Sequence, residues 1–234
     1  KIIFDTGYSG VFLDNALMMG YDLMDINYIL LSHNHFDHTW GLSDLISYYI
    51  DKDATNREYI TPEVITHPGT FNTRNVKEFN DISPQVSKEK LAEHFKLTLS
   101  KKPVFLTENL VFLGEVERNN DFEAQNSIGK VKKNGQYIDD YIIEDSALAY
   151  KTEDGIIIIT GCSHAGICNI TEKAKKILND DRVIDIIGGF HLINPSNKQL
   201  KGTINYFKDL APHHIHPCHC TDFQSKVRLN EVSK

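Results

Sequence analysis

Leu31-Ser32-His33-Asn34-His35-Phe36-Asp37-His38-Thr39-Trp40-Gly41-Leu42 sets three histidines and one aspartate within six residues, directly after the apolar run Tyr28–Leu31. Imidazole nitrogen and carboxylate oxygen are the ligands that a borderline divalent cation takes. Side chains alternate in an extended segment, so His33 and His35 point the same way and can share one ion. Asp37 and His38 fall where the chain turns toward the next helix. They can face a second ion ~3.5–4 Å away, the spacing of two-metal hydrolytic sites. One or two isolated histidines would not carry this reading; four ligand-type side chains at one strand end do.

Outward from that run, three more histidines sit at equivalent places. The apolar strand Ile156–Thr160 leads into Gly161-Cys162-Ser163-His164, and Val183–Ile187 leads into Gly188-Gly189-Phe190-His191. The segment His213–Pro217 leads into Cys218-His219-Cys220-Thr221. Strand ends along one edge of an α/β sheet converge, and ligands bind at such edges. The expected elements alternate. Strands are read at Lys1–Asp5, Tyr28–Ser32, Glu63–Thr66, Val104–Leu106, Leu110–Leu113, Ala147–Lys151, Ile156–Thr160 and Val183–Ile187, with a last short one starting at Ile215. Helices are read at Phe12–Met19, Gly41–Ile50, Ser87–Phe95, Ile167–Asn179 and Gln199–Asp209. The four isoleucines of Ile156–Ile159 predict a strand buried on both faces. Asn119–Asp140 reads as loop, with Asn134-Gly135 as punctuation. This order predicts an α/β protein with covered sheets, in one domain over 1–234.

Composition narrows the function classes. The 234 residues carry 25 Lys+Arg against 32 Asp+Glu, a net charge of −7, with 41% apolar and 24% charged residues. Those fractions exclude a chain that is disordered, collagenous or coiled coil throughout. The negative balance argues against a nucleic-acid partner, which is held by phosphate neutralisation. No window approaches the ~18 apolar residues of a membrane span. A small-molecule substrate is the expected partner. The four cysteines fall in two tight clusters rather than a disulfide framework, which points to a reducing cytoplasm. Their C-x5-C and C-x-C spacings are not those of zinc knuckles, and Cys168 reads as a small buried hydrophobe. The chain opens on Lys1-Ile2-Ile3-Phe4-Asp5, already a core strand, so a cut N-terminus is expected. Cys162 is one candidate substrate contact; His67, Arg118 and Arg74 could also reach a substrate, the arginines through planar forks of donors. Their alternatives are a strand-end turn and solvated surface charges.

Taken together, these motifs resemble the metallo-β-lactamase superfamily. Asp5-Thr6-Gly7 looks like its strand-turn landmark and His33-x-His35-x-Asp37-His38 like its signature. Gly161-Cys162-Ser163-His164-Ala165-Gly166-Ile167-Cys168-Asn169-Ile170, Gly188-Gly189-Phe190-His191-Leu192 and His219-Cys220-Thr221 resemble one subgroup. Phe112–Arg118 and Glu144–Leu148 look like that subgroup's intervening segments. Its members are commonly labelled 7,8-dihydropterin-6-yl-methyl-4-(β-D-ribofuranosyl)aminobenzene 5′-phosphate synthase, a methanopterin-pathway name. The resemblance implies a four-layer αββα sandwich, here cut at the N-terminus, with shortening at the C-terminus as an alternative.

It also implies two divalent metal ions, Zn2+ first and Mn2+ or Fe2+ as alternatives. His33, His35 and His164 would hold one ion; Asp37, His38 and His219 would hold the other, with His191 close by. Many relatives bridge the ions with an aspartate where this chain has Cys162, so His164 and then Cys162 compete for that role. Asp37 would orient a hydroxide nucleophile. The implied activity is hydrolysis of a phosphoester or lactone. The alternatives are the pterin-pathway synthase reaction, or a non-catalytic metal-binding module or gene fragment.

Overall fold

The computed structural model describes residues 1–76 and 79–231. The chain folds as two compact units, Lys1–Ser100 with Gly129–Asp140, and Lys101–Ile128 with Tyr141–Lys234.

The first unit begins with β1 (Ile2–Phe4), α1 (Val11–Met18), β2 (Tyr28–Leu30), the one-turn α2 (Phe36–Thr39) and α3 (Leu42–Ala54). It continues through β3 (Glu63–Thr66), the short β4 (Arg74–Asn75), α4 (Lys88–His94) and β5 (Lys96–Leu99). Strands β1-β2-β3-β5 form a parallel sheet in that order. Parallel strands need crossover connections, and the intervening helices supply them. Ile29, Leu31 and Val64 pack with Leu42, Leu45, Ile46 and Tyr49 of α3 and Leu91 of α4. Ser87 caps α4, its hydroxyl accepting from Lys90 N–H at 3.2 Å.

In the second unit, β6 (Val104–Phe105) and β7 (Leu110–Phe112) come first. The chain then gives the first unit a hairpin, β8 (Lys130–Lys133) and β9 (Gln136–Asp139), which pairs with β4. The second unit resumes with β10 (Ala147–Lys151), β11 (Ile156–Thr160), α5 (Ile167–Leu178) and β12 (Val183–Gly189). It ends with α6 (Asn197–Leu210), β13 (His214–Cys218) and α7 (Phe223–Asn230). Its sheet runs β13-β12-β11-β10-β7-β6, parallel across β11, β12 and β13 and antiparallel beyond. Ile156, Ile158 and Ile186 pack with Ile167, Ile170 and Ala174 of α5 and with Ile204 and Phe207 of α6.

Two expectations change. The isoleucine run is not buried on both faces: Ile156 and Ile158 enter the helical core, whereas Ile157 is half-buried and Ile159 is 37% exposed. The period of two sends alternate residues to opposite faces, and only one face meets α5 and α6. Asn119–Asp140 is not all loop. Asn134 and Gly135 both have positive φ, 51° and 81°, the backbone of a tight two-residue hairpin turn. Among β8 and β9 only Val131 is buried, so the hairpin carries no apolar alternation to announce it. No helix among the described residues is long and apolar enough to cross a membrane.

Candidate metal centre

Four of the expected ligands lie in the first unit. Past β2, His35 is extended at φ −66° and ψ 148° and opens α2, which carries Asp37 and His38. His33, His35 and His38 are buried; Asp37 is half-buried. The His33 ring centroid lies 4.7 Å from that of His35 and 4.2 Å from that of His38. Ligand atoms of His33 and His35, of His33 and His38, and of Asp37 and His38 lie within 4.8 Å of each other.

Asp5 orients two of these rings, His33 and His38. It ends β1 at φ 60°, and the parallel pairing of β1 with β2 sets it beside Ser32. Its Oδ1 accepts from Ser32 N–H at 2.7 Å, and its Oδ2 accepts from the Ser32 hydroxyl at 2.7 Å. The Ser32 proton is thereby spent, so the contact of Ser32 Oγ with His33 Nδ1 at 2.9 Å requires that Nδ1 be the donor. His33 Nε2 is then left with the lone pair a metal needs. His38 Nδ1 meets Asp5 Oδ2 at 2.6 Å, and a carboxylate only accepts, so His38 too presents Nε2. A carboxylate behind a ligating imidazole is the usual way to fix its tautomer and ring plane.

Backbone contacts seat the turn after Asp5 on the ligand run. Thr6 N–H donates to His38 O at 2.8 Å and Gly41 N–H to Gly7 O at 3.1 Å. A Cβ on Gly41 would stand 2.2 Å from Thr6 O, so only glycine admits this approach. Asp5 was named in the sequence as a landmark but not as a site residue. The missing signal is pairing: a carboxylate that ends one parallel strand faces the ligand loop that leaves the next.

The second unit holds His164, His191 and His219. His164 lies in the turn after β11, where Ser163 has φ 58° and donates its hydroxyl to Gly189 O at 2.6 Å. Asp145, fully buried, accepts from Ala165 N–H at 2.9 Å. Burial pushes the Asp145 carboxyl up to about 7, against the Ala165 N–H and the Arg118 guanidinium, which favour its charged form. Glu123 caps the start of α5, taking Cys168 N–H at 3.0 Å and Asn169 N–H at 3.1 Å. His191 and His219 follow β12 and β13 at φ 49° and 43°. The rings of His164 and His191 are 4.3 Å apart. The two segments after β12 and β13 are tied together, Phe190 N–H donating to Thr221 Oγ1 at 3.0 Å and Leu192 N–H to Cys220 O at 3.0 Å. His219 is exposed; His164 is buried.

Cys162 and Cys220 meet inside this group. Cys220 Sγ lies 3.3 Å from Cys162 O. The Cys162 side chain, and then His191, hold the Cys220 thiol well below its usual range. A cleft of about 450 Å³ in the same unit opens on His164 and His191, with Phe122, Gln125, Tyr141 and Gln199 among its walls.

The expected substrate contacts have structural partners. His67 is buried, and its Nδ1 accepts from Gly69 N–H at 2.9 Å, capping the single turn Pro68–Phe71. Arg118 donates to the carbonyl oxygens of Tyr141 and Ile142. Arg74 is not a solvated surface charge. It is fully buried and paired with Asp140, and it donates to Gly69 O at 3.2 Å.

These strand ends and histidines define a metallo-β-lactamase fold, and the chain belongs to the metallo-β-lactamase superfamily. Residues 1–104 match that family's model. Along its whole length the chain is 33% identical to the 7,8-dihydropterin-6-methyl-4-(β-D-ribofuranosyl)-aminobenzene-5′-phosphate synthase of Methanocaldococcus jannaschii, covering 80% of it. It is 30% identical to an uncharacterized protein of the same organism, MJ0448, covering 84% of it. Among solved structures it is similar to Tm1679, a metal-dependent hydrolase of the β-lactamase superfamily. That match has a TM-score of 0.81 and 25% identity over 99% of this chain and 82% of the other. The superfamily generally binds divalent metal ions, and the imidazole and carboxylate donors here suit them.

Proposed function

We propose that this chain is a binuclear metal-dependent hydrolase of ester-type small molecules, a phosphoester or a lactone. His33, His35 and His164 would hold one ion. Asp37, His38 and His219 would hold the other, with His191 beside them and Cys162 as the competing donor to His164. Zn2+ is the first choice, Mn2+ or Fe2+ the alternatives. The observation that carries the reading is the Asp5–Ser32 network, which puts the proton of two buried imidazoles on Nδ1 and leaves each Nε2 with a lone pair for a metal. Nothing in a purely structural loop requires that tautomer at both rings.

Bound there, divalent ions supply Lewis acidity and water made nucleophilic at neutral pH. The remaining work belongs to the protein. Asp5 and Ser32 keep the histidine rings from rotating. Asp37, half-buried beside His38, orients the attacking water through a carboxylate oxygen. The cleft beside His164 and His191 would receive the substrate.

Elemental analysis of the purified protein should return close to two divalent ions per chain. A His35→Ala/Asp37→Ala double variant should lose both metal and at least ~10³-fold of the turnover of generic phosphodiester and lactone substrates. Undiminished turnover in that variant would end the hydrolytic reading. Stoichiometric metal without turnover in the wild-type protein would leave a non-catalytic metal-binding module, and neither metal nor turnover would leave a gene fragment.

The name of the 33%-identical relative favours a second reading, a synthase in pterin cofactor assembly. The ions would then activate a group for condensation. Incubation with a dihydropterin diphosphate and the ribofuranosylaminobenzene phosphate decides it, since a coupled product supports the synthase and its absence removes it.

A further inference from the structure

We infer that Tyr8, Phe36 and Trp40 form an aryl-binding subsite beside Asp37 and His38. The inference rests on the hydrolytic reading for the chemistry next door, but its ligand-binding test does not depend on turnover.

The three rings belong to one local structure. Phe36 opens α2 and Trp40 closes it, four residues apart and so on one face. Tyr8 follows the Asp5-Thr6-Gly7 turn. The Tyr8 ring stacks on Trp40 with centroids 5.4 Å apart and planes 29° apart. It meets Phe36 edge-on at 5.6 Å, and Phe36 and Trp40 lie 5.5 Å apart. The indole is fixed: Trp40 Nε1–H donates to Ser83 O at 2.8 Å. Its polar edge is therefore spent, and what it offers is a π face.

Tyr8 is 58% exposed, and Phe36 and Trp40 are each only half-buried. Aromatic side chains are the largest reserve of burial energy a chain has, and a cluster left open to water marks a binding surface. The cluster is not needed to pin the turn to α2, because Thr6 N–H to His38 O and Gly41 N–H to Gly7 O already do so. The sequence interleaves the two functions: Phe36, then the ligands Asp37 and His38, then Trp40. Phe36 and Trp40 flank Asp37 and His38 in sequence, so the ring cluster lies within one helical turn of two candidate ligands. The occupant that fits is a planar aryl or heteroaryl group, which gains stacking that a saturated ring of equal size lacks.

Trp40 is the chain's one tryptophan, so tryptophan emission reports this place directly. The metal-loaded protein is titrated with phenyl phosphate and with cyclohexyl phosphate. Phenyl phosphate should perturb Trp40 emission saturably and bind about three- to ten-fold more tightly than cyclohexyl phosphate. Tyr8→Leu keeps bulk but removes the π face, so it should erase that preference and raise KM for aryl phosphates with kcat held within about two-fold; Tyr8→Phe should restore it. A structural role would instead move the melting temperature and leave the aryl preference intact. Equal binding of the two phosphates, or unperturbed Trp40 emission, overturns the inference. If neither phosphate is hydrolysed, the hydrolytic reading suffers while the emission titration still decides this one.

Discussion

The two groups of candidate ligands are built by different means. In the first unit one carboxylate, Asp5, reaches two rings of a contiguous run, directly at His38 and through Ser32 at His33. In the second unit the histidines follow three separate strands. Each is aimed by its own turn, with Ser163, His191 and His219 all in the left-handed region. Non-glycine residues there cost on the order of 1–3 kcal/mol each and persist only when the surroundings impose them. The contiguous motif shares one orienting group, whereas left-handed backbone stands at or next to each of the dispersed histidines.

Both arrangements depend on glycines that let backbone come close, and removing them should give the largest effects. In Gly41→Ala the new methyl would lie 2.2 Å from Thr6 O, pushing the Asp5 turn off the ligand run. In Gly189→Ala it would lie 2.6 Å from Cys220 Sγ and 2.7 Å from Gly161 O, wedging the ends of β11 and β13 apart. Each should destabilise by about 4 kcal/mol or more in denaturant melts and lower metal content. If Gly189→Ala were silent, the second group would not be held by its backbone.

A slightly smaller effect should come from Asp145, the buried carboxylate under the His164 turn. Its folded value of about 7 stands above the ordinary 3.8. The native state therefore keeps a proton that the unfolded chain releases as pH rises from about 4. In metal-free protein this contribution to stability is fully present below about pH 4 and is lost as pH climbs to about 7, by up to about 4 kcal/mol. Asp145→Asn keeps an oxygen for Ala165 N–H and cannot ionise. The difference in urea midpoint between wild type and variant should then shift in favour of the variant across that window. A difference that stays flat with pH would show that burial does not govern this carboxyl.

The same contrast explains what could be read in advance. The ligand run was legible because its chemistry is contiguous, and β3, β10 and β11 were legible from apolar runs bounded by turn residues. His164, His191 and His219 were found only through a repeated strand-then-histidine pattern. Asp5 was seen as a landmark, but its bond to His38 depends on which strands pair, and that is a property of the whole sheet. Asp145 and Glu123 act on backbone N–H groups twenty or more residues away in sequence, and nothing local marks them. Arg74 read as surface because its partner Asp140 arrives only with the hairpin that the sequence hid.

Replacing Asp5 tests the shared-carboxylate half of the contrast at intermediate size. Asp5→Asn keeps the shape but offers one acceptor oxygen for Ser32 and His38 together. Metal affinity should fall about 10–100-fold, the usual consequence of losing an orienting partner, with activity falling in step. Isothermal titration of the metal into stripped protein measures it. Unchanged affinity would mean that packing alone holds the rings.

The smallest expected effect lies at the tip of the β8–β9 hairpin. Gly135 has φ 81° and no atom within 4 Å of where a Cβ would stand. Gly135→Ala therefore meets no clash and bears only the left-handed backbone penalty of about 1 kcal/mol. At Gly41 and Gly189 the φ is ordinary and the contact is what forbids a side chain, so the three variants separate conformational cost from close approach. A melting shift of only a few degrees with unchanged metal content is expected for Gly135→Ala. A loss of metal in that variant would tie the hairpin to the ligand run and remove the distinction between turns that serve the site and turns that only connect strands.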